Sequence, residues 1–296
     1  MTQPQAGSTV PRRQLGRYLA ALRMKAGLSV RAAAKAMDRS EPTIWRIETG
    51  KTSTRVPEVE AMCRLYKADA KTTEMLTALA KETKAKGWWQ AYGDVLPEWF
   101  DLYVGLEAAA SSFKWHEPEL VPGLFQTHAY ARALIEADIP GLDQQELERR
   151  VQLKITRQAI LARPVDRPAL QVVLGETVLR CPVGGPSVMA EQLDALATMS
   201  AELPNLELRV VPFGAGLQLG KIAGRFEILR FPASANGEES EPPTVYADLF
   251  TGALYLDKPG EVERYDRAFA DIWKNSLTPE ESRELIQAAA EDFRHG

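Results

Sequence analysis

The chain has 296 residues, of which 45% are hydrophobic and 26% are charged, as in soluble globular proteins. This composition excludes a disordered, collagen-like or disulfide-stapled chain, and no apolar stretch is long enough for a transmembrane helix. The polar segment 1–10 has no apolar core, so we expect no secretory signal there. The two cysteines, Cys63 and Cys181, favour a reducing compartment, and a cytoplasmic location is expected.

The charge is distributed unevenly, although the net charge is only −4. Residues 1–86 contain 17 Lys and Arg against 8 Asp and Glu, whereas residues 87–296 contain 19 against 32. A basic N-terminal part is typical of a domain that binds a polyanion such as nucleic acid. The acidic remainder favours a separate sensor or partner-binding domain. Chance is the alternative explanation of this asymmetry.

The N-terminal third is predicted to be an all-α domain. We expect a disordered tail over 1–10, a five-helix domain over 11–86 and a C-terminal regulatory and dimerisation domain over 87–296. Apolar residues at helical spacing and serine caps place the helices. Their starts are predicted near Gln14, Val30, Glu41, Pro57 and Thr73.

The C-terminal part mixes the two kinds of element, which predicts an α/β or α+β domain. Short apolar runs with partial alternation indicate strands. The predicted strands are 113–117, 170–174, 206–211, 225–231 and 244–248. One-sided apolar stripes and capping boxes indicate helices. The predicted helices are 127–137, 143–162, 187–203, 260–276 and 278–293.

One N-terminal segment carries a specific pattern. It runs Leu15-Gly16, Leu19, Leu22-Arg23, Ala26–Ser29, Ala32–Ala34, Met37, Ser40 and Ile44–Lys51. The last stretch, close to I-x-R-I-E-x-G-K, is its most specific part. The pattern resembles the helix-turn-helix of the Xre-type, lambda-repressor-like family. Val30 and Asp38 depart from the glutamine and glycine usual at those positions.

The resemblance implies a protein that binds double-stranded DNA. A helix in the major groove reads base edges with residues near its N-terminal end, and the face opposite Ile44 and Ile47 is available for this. The predicted base-reading residues are Glu41, Pro42, Thr43 and Arg46. Arg46 suits a bidentate contact to guanine, worth about 1–3 kcal/mol of discrimination. Glu41 either accepts from cytosine or simply favours the positive end of the helix dipole.

Phosphate groups are held by basic side chains and helix N-termini. The predicted phosphate contacts are Arg31, Ser40, Lys51, Thr52 and Arg55. Trp45 either stacks on a sugar or packs on the fourth helix or a partner subunit. Glu48 is expected to pair with Arg17 or Arg23. A homodimer would place its second helix one turn of DNA, roughly 34 Å, away.

The C-terminal part also resembles a known domain. The matching stretches are 87–107, 115–134 and 180–186. They are similar to the C-terminal half of a large actinobacterial regulator family, a domain without an agreed function that is sometimes described as antitoxin-like. The resemblance implies a transcription regulator, often encoded beside a small acidic partner protein. It implies no chemistry.

The residues themselves indicate neither a cofactor nor a metal. The three histidines are scattered and no Cys/His cluster occurs, and no nucleophile has an adjacent base, so we expect no enzyme activity. An enzyme domain tethered to DNA and an antitoxin-like interaction module are the alternatives. A small-molecule effector would require a pocket. Its candidate residues are Trp88, Trp89, Tyr92, Trp115, His116, Glu176 and Arg180. A place in the core is the favoured interpretation of the aromatic residues, and a structural role is the favoured interpretation of His116.

Overall fold

The computed structural model describes residues 9–82, 98–232, 241–250 and 252–295. These residues form two compact units. The first contains residues 9–82, 101–109 and Glu241, and the second contains the remaining described residues. In the described part of the chain, no helix is long and apolar enough to cross a membrane.

The first unit is all helical. Its helices are α1 (Thr9–Lys25), α2 (Val30–Ala36), α3 (Glu41–Glu48), α4 (Val56–Leu65), α5 (Ala70–Glu82) and most of α6 (Glu98–Ala109). Ser29 and Ser40 cap α2 and α3 by accepting hydrogen bonds from backbone N–H groups. Asp38 adopts the left-handed conformation (φ 51°) in the turn between them, which aspartate tolerates better than most residues.

The core of this unit lies where the helices meet. It is formed by residues that the helical spacing turns inward: Leu15, Leu19, Ala33, Ala34, Ile44, Ile47, Val59, Met62, Cys63, Tyr66, Leu76 and Ala80. Ile44 and Ile47 are fully or almost fully buried, so the inner face of α3 is fixed by packing. The opposite face of α3 is left for contacts outside the protein.

The second unit is built on a mixed six-stranded sheet of order β3-β2-β1-β4-β5-β6. Its strands are β1 (Ser112–Glu117), β2 (Ala169–Gly175), β3 (Leu206–Val211), β4 (Phe226–Arg230), β5 (Thr244–Leu249) and β6 (Gly252–Leu256). Strands β1, β2 and β3 are parallel, whereas β4, β5 and β6 pair antiparallel. Parallel neighbours require crossover segments, and helices supply them here.

Helices pack on both faces of this sheet. They are α7 (His128–Asp138), α8 (Gln144–Arg157), α9 (Thr177–Arg180), α10 (Pro186–Glu202), α11 (Leu219–Ala223), α12 (Pro259–Lys274) and α13 (Pro279–His295). Phe269 and Ile272 of α12 share a core with Phe226 and Ile228 of β4 on one face. On the other face, Trp115 of β1 contacts Phe125, which precedes α7.

The predicted fold class, an all-α head followed by a mixed α/β or α+β domain, is confirmed. The sequence did not predict α6, α9, α11 or β6. Helix α1 begins at Thr9, inside the segment 1–10 that was expected to be a tail, and residues 1–8 lie outside the described part.

Candidate nucleic-acid interface

The approach of α1 to α3 depends on Gly16. A Cβ atom at this position would lie 2.5 Å from the carbonyl oxygen of Ile47 and 2.6 Å from that of Glu48. Such distances are far below van der Waals contact, so only glycine permits this approach. The end of α3 is therefore held against α1 by backbone contact.

A buried ion pair fixes the same end of α3. The Glu48 carboxylate accepts hydrogen bonds from Nε (2.6 Å) and Nη2 (2.8 Å) of Arg23, and Arg23 Nη1 donates to the Leu28 carbonyl (2.8 Å). The hydrogen bonds that Arg23 donates to Glu48 raise the pKa of Arg23. Of the two partners expected for Glu48, the structure selects Arg23. Glu48 is therefore a structural residue that orients α3.

The predicted base-reading residues lie together at the start of α3. Glu41, Pro42 and Arg46 are exposed, and Thr43 is half-buried. The Ser40 and Thr43 hydroxyls lie 2.8 Å apart, while Arg46 Nε donates to the Pro42 carbonyl (3.3 Å). Because that hydrogen bond is long and exposed, little opposes extension of Arg46 toward a ligand. The N-terminal part of α3 therefore presents polar side chains, and the guanidinium of Arg46 can extend from it toward a ligand.

Trp45 and Lys51 form a single exposed feature beside this face. Lys51 Nζ lies 4.3 Å from the centroid of the Trp45 ring, a distance at which a cation is attracted to an indole face. Trp45 is 48% exposed. Its ring therefore supports a lysine that the sequence placed among the phosphate contacts.

The other predicted phosphate contacts surround α3. Arg31 is exposed at the start of α2, where its Nε lies 3.9 Å from Glu41 Oε1. Arg55 is exposed at the N-cap of α4 and makes no side-chain capping hydrogen bond. Thr52 is half-buried, and Ser40 is exposed while it caps α3. Arg31 and Arg55 are positively charged and Ser40 sits at a helix N-terminus, which suits phosphate, whereas Thr52 is a neutral residue of the loop between α3 and α4.

Sequence reasoning missed the partner of two arginines on α1. The Glu241 carboxylate accepts hydrogen bonds from Nη1 (2.7 Å) and Nη2 (2.6 Å) of Arg17, and it lies 3.2 Å from Arg13 Nε. Glu241 is fully buried. No local signal reveals a pair whose members are 224 residues apart. These two cations are therefore neutralised within the first unit.

The structure describes four of the seven candidate effector residues, and it does not bring Trp115 and His116 to one side of the sheet. Trp88, Trp89 and Tyr92 lie outside the described residues. Trp115 and His116 are neighbours on β1, so their side chains point to opposite faces of the sheet. They cannot line one pocket, and the alternation of strand residues was the signal that showed this.

Each of the remaining candidates has a structural partner. His116 Nδ1 lies 2.9 Å from the Gly224 carbonyl oxygen, and burial lowers the pKa of this imidazole. Glu176 and Arg180 pair with each other (3.2 Å), and Arg180 also pairs with Asp292 (2.9 Å). Glu176 further accepts a hydrogen bond from the Phe213 N–H. These contacts hold α9 in place.

A charged cluster around the buried carboxylate of Glu117 lies elsewhere in the second unit. Glu117 accepts hydrogen bonds from Arg225 (2.9 Å), whose Nε also contacts Asp248 (2.9 Å). Burial raises the pKa of Glu117 to about 7, against the opposing effect of Arg225. Burial lowers the pKa of Lys154, which donates to Gln126, to about 8. Among the described residues, no group of three or more His, Cys, Asp and Glu is placed to hold a metal ion.

The fold and the exposed face of α3 define the class as a helix-turn-helix protein. A family model described as a helix-turn-helix domain matches residues 14–76, which contain most of α1, all of α2, α3 and α4, and the first half of α5. The chain belongs to the family described as a domain of unknown function (DUF5753), whose model matches residues 100–288. No curated protein and no solved structure matches the chain.

Proposed function

We propose that this protein is a cytoplasmic, Xre-type transcription regulator that binds a specific DNA operator as a homodimer. In this proposal the C-terminal domain is not an enzyme. It dimerises and receives a signal from a small acidic partner protein, as in antitoxin-like systems, or from a small-molecule effector.

The observation that carries the proposal is the two-sided character of α3. Ile44 and Ile47 anchor one face in the core, while Pro42, Thr43 and Arg46 occupy the opposite face near the N-terminal end of the helix. This is the end that contacts base edges when a recognition helix lies in the major groove.

The surrounding charge supports the same function. Arg31, Lys51 and Arg55 are exposed at the ends of three different helices and loops around α3, whereas Arg13 and Arg17 are occupied by Glu241. The exposed cations are suited to contact phosphates on both sides of the groove. Such contacts fix the register of the protein on the duplex, and the base contacts supply the sequence preference.

Selection of binding sites from random duplexes, followed by fluorescence anisotropy at several salt concentrations, tests this function. We expect log affinity to fall linearly with log salt, with a slope of about 0.9 per neutralised phosphate. Arg46→Ala is expected to relax the preference at one base pair by about 1–3 kcal/mol. Lys51→Ala is expected to weaken all sequences alike and to reduce the slope by about 1.

The matched control is Lys274→Ala, which removes the same charge from an exposed position on α12. It should leave affinity and preference unchanged. Binding without a sequence preference, or an Arg46→Ala variant that keeps the full preference of the wild type, would contradict the proposed role of α3.

A further inference from the structure

The exposed apolar side chains of the second unit are concentrated in two segments. Among its described residues, the large apolar side chains that remain exposed are Val165, Phe213, Leu217, Leu219, Ile222, Leu249, Phe250 and Leu254. All except Val165 lie either between β3 and β4 or on the β5–β6 hairpin. Phe250, in the turn of this hairpin, is 96% exposed. Large exposed apolar patches of this kind mark interaction sites.

A cavity of about 370 Å³ lies between these two segments. Leu219 and Ile222 of α11, Leu256 of β6 and Tyr265 of α12 contribute its apolar walls. The charged side chains of Glu261 and Arg264 also line it. The cavity is large enough to accept one aromatic side chain, and Leu256, the residue that β6 contributes to it, is the last residue of that strand.

The two edges of the sheet differ. At one edge the backbone of Val210 in β3 is covered, because its carbonyl oxygen accepts a hydrogen bond from Leu277 N (2.9 Å) and its N–H donates to Ser282 Oγ (2.9 Å). At the other edge β6 pairs, within the described residues, with β5 alone. A strand at the edge of a sheet offers backbone donors and acceptors to an added strand.

We propose that β6 pairs antiparallel with β6 of a second copy of this chain, and that Phe250 of each copy enters the cavity of the other. Antiparallel pairing about Leu254, the middle residue of β6, places the hairpin turn of one copy beside Leu256 of its partner. The same two-fold operation therefore places the exposed Phe250 of each copy beside the cavity of the other, whose walls are mainly apolar. Such a self-complementary patch is what an isologous interface requires.

The available surface is large enough for a stable pair. The exposed fractions of the seven patch residues add up to between four and five whole residues. At roughly 200 Å² for each large apolar residue, they present about 900 Å² per chain. A standard stable interface buries about 800 Å² on each partner. The edge strand adds backbone hydrogen bonds, which set the orientation of the two copies.

This inference names the dimer interface of the proposed regulator and rests on that function only in assigning the pair to one operator. The first test is sedimentation velocity on the full chain. We expect the wild type to be a dimer, and Ile222→Glu and Phe250→Glu each to weaken dimerisation at least 100-fold. Val165→Glu is the matched control, because Val165 is 71% exposed and Ile222 is 69% exposed. It should dimerise as the wild type does.

Cross-linking tests the symmetry of the pairing. In a Cys181→Ser background, which removes the exposed native thiol, Leu254→Cys should give a covalent dimer with a short bismaleimide. Val165→Cys should not. A monomeric wild type, including one that pairs instead with a smaller protein, overturns the proposal. So does a dimer that both glutamate variants leave intact.

DNA binding separates this inference from the proposed function. A monomeric Ile222→Glu chain should bind a single half-site with wild-type affinity and lose only the tighter binding to a two-fold operator. If the wild type dimerises through β6 but binds no DNA sequence selectively, the proposed function fails and the interface stands. If selective binding occurs without a β6-dependent dimer, the interface fails and the function stands.

Discussion

Replacing Gly16 with alanine tests how α1 holds α3. Helix propensity alone favours alanine over glycine by about 1 kcal/mol, so an unconstrained site would be stabilised. Here the new Cβ would meet two backbone carbonyl oxygens at 2.5 and 2.6 Å, and backbone cannot rotate away as a side chain can. Overpacking of a core costs about 1–3 kcal/mol. Because the contact is with backbone, we expect a net loss of about 1–2 kcal/mol, so the sign is opposite to that of propensity.

Hydrogen exchange measured by mass spectrometry on the full chain reports this loss locally. Peptides from α1 and α3 should exchange faster in Gly16→Ala by a factor of roughly 5–30. Gly260→Ala is the matched control, because Gly260 lies in the first turn of α12 and an added Cβ there meets nothing within 4 Å. It should leave exchange unchanged or slightly slower. Unchanged or slower exchange of α1 and α3 in Gly16→Ala would refute the packing argument.

Two further substitutions test buried charges. Glu48→Ala leaves the Arg23 guanidinium, only 11% exposed, without its carboxylate, so urea denaturation should show a loss of about 3 kcal/mol. The Arg23→Ala/Glu48→Ala double variant should cost less than the sum of the single losses, and strict additivity would contradict a direct pair. Glu117 has a folded-state pKa of about 7, above its ordinary value, so the folded protein holds a proton that the unfolded chain releases. Its contribution is present at low pH and is lost as pH rises from about 4.5 through about 7, by up to about 3 kcal/mol. Glu117→Gln should remove this slope in denaturation at pH 5, 6 and 7, and an unchanged slope would show that another group titrates.

The helical head could be predicted because its signals are local. Ser29 and Ser40 are N-caps whose side chains bond within three residues, and Ile44 and Ile47 follow the helical repeat into the core. Capping and periodicity act over one or two turns, so the printed sequence contains them. The face of α3 that faces outward follows directly from the face that is buried.

The remaining features depend on distant parts of the chain. Only two residues separate β6 from β5, and β6 begins with glycine. Its five residues therefore show no distinct strand pattern in the sequence. Glu241 and Arg17 are 224 residues apart in the sequence, so no local pattern indicates their ion pair. The assignment of Trp115 and His116 to one candidate pocket could have been avoided from the sequence alone. Adjacent residues on a strand point to opposite faces of the sheet.

The hydrogen bonds at the edge of β3 affect the tendency of the protein to aggregate. A sheet with two unpaired edges can add strands from further copies indefinitely and grow into a fibre, which is the hazard of cross-β assembly. In this protein Leu277 and Ser282 hydrogen-bond the backbone of Val210 at the edge of β3, and these contacts oppose the addition of a strand on that side of the sheet. In the proposed dimer, β6 of each copy occupies the other edge, so the contact of Ser282 with β3 then helps to prevent polymerisation.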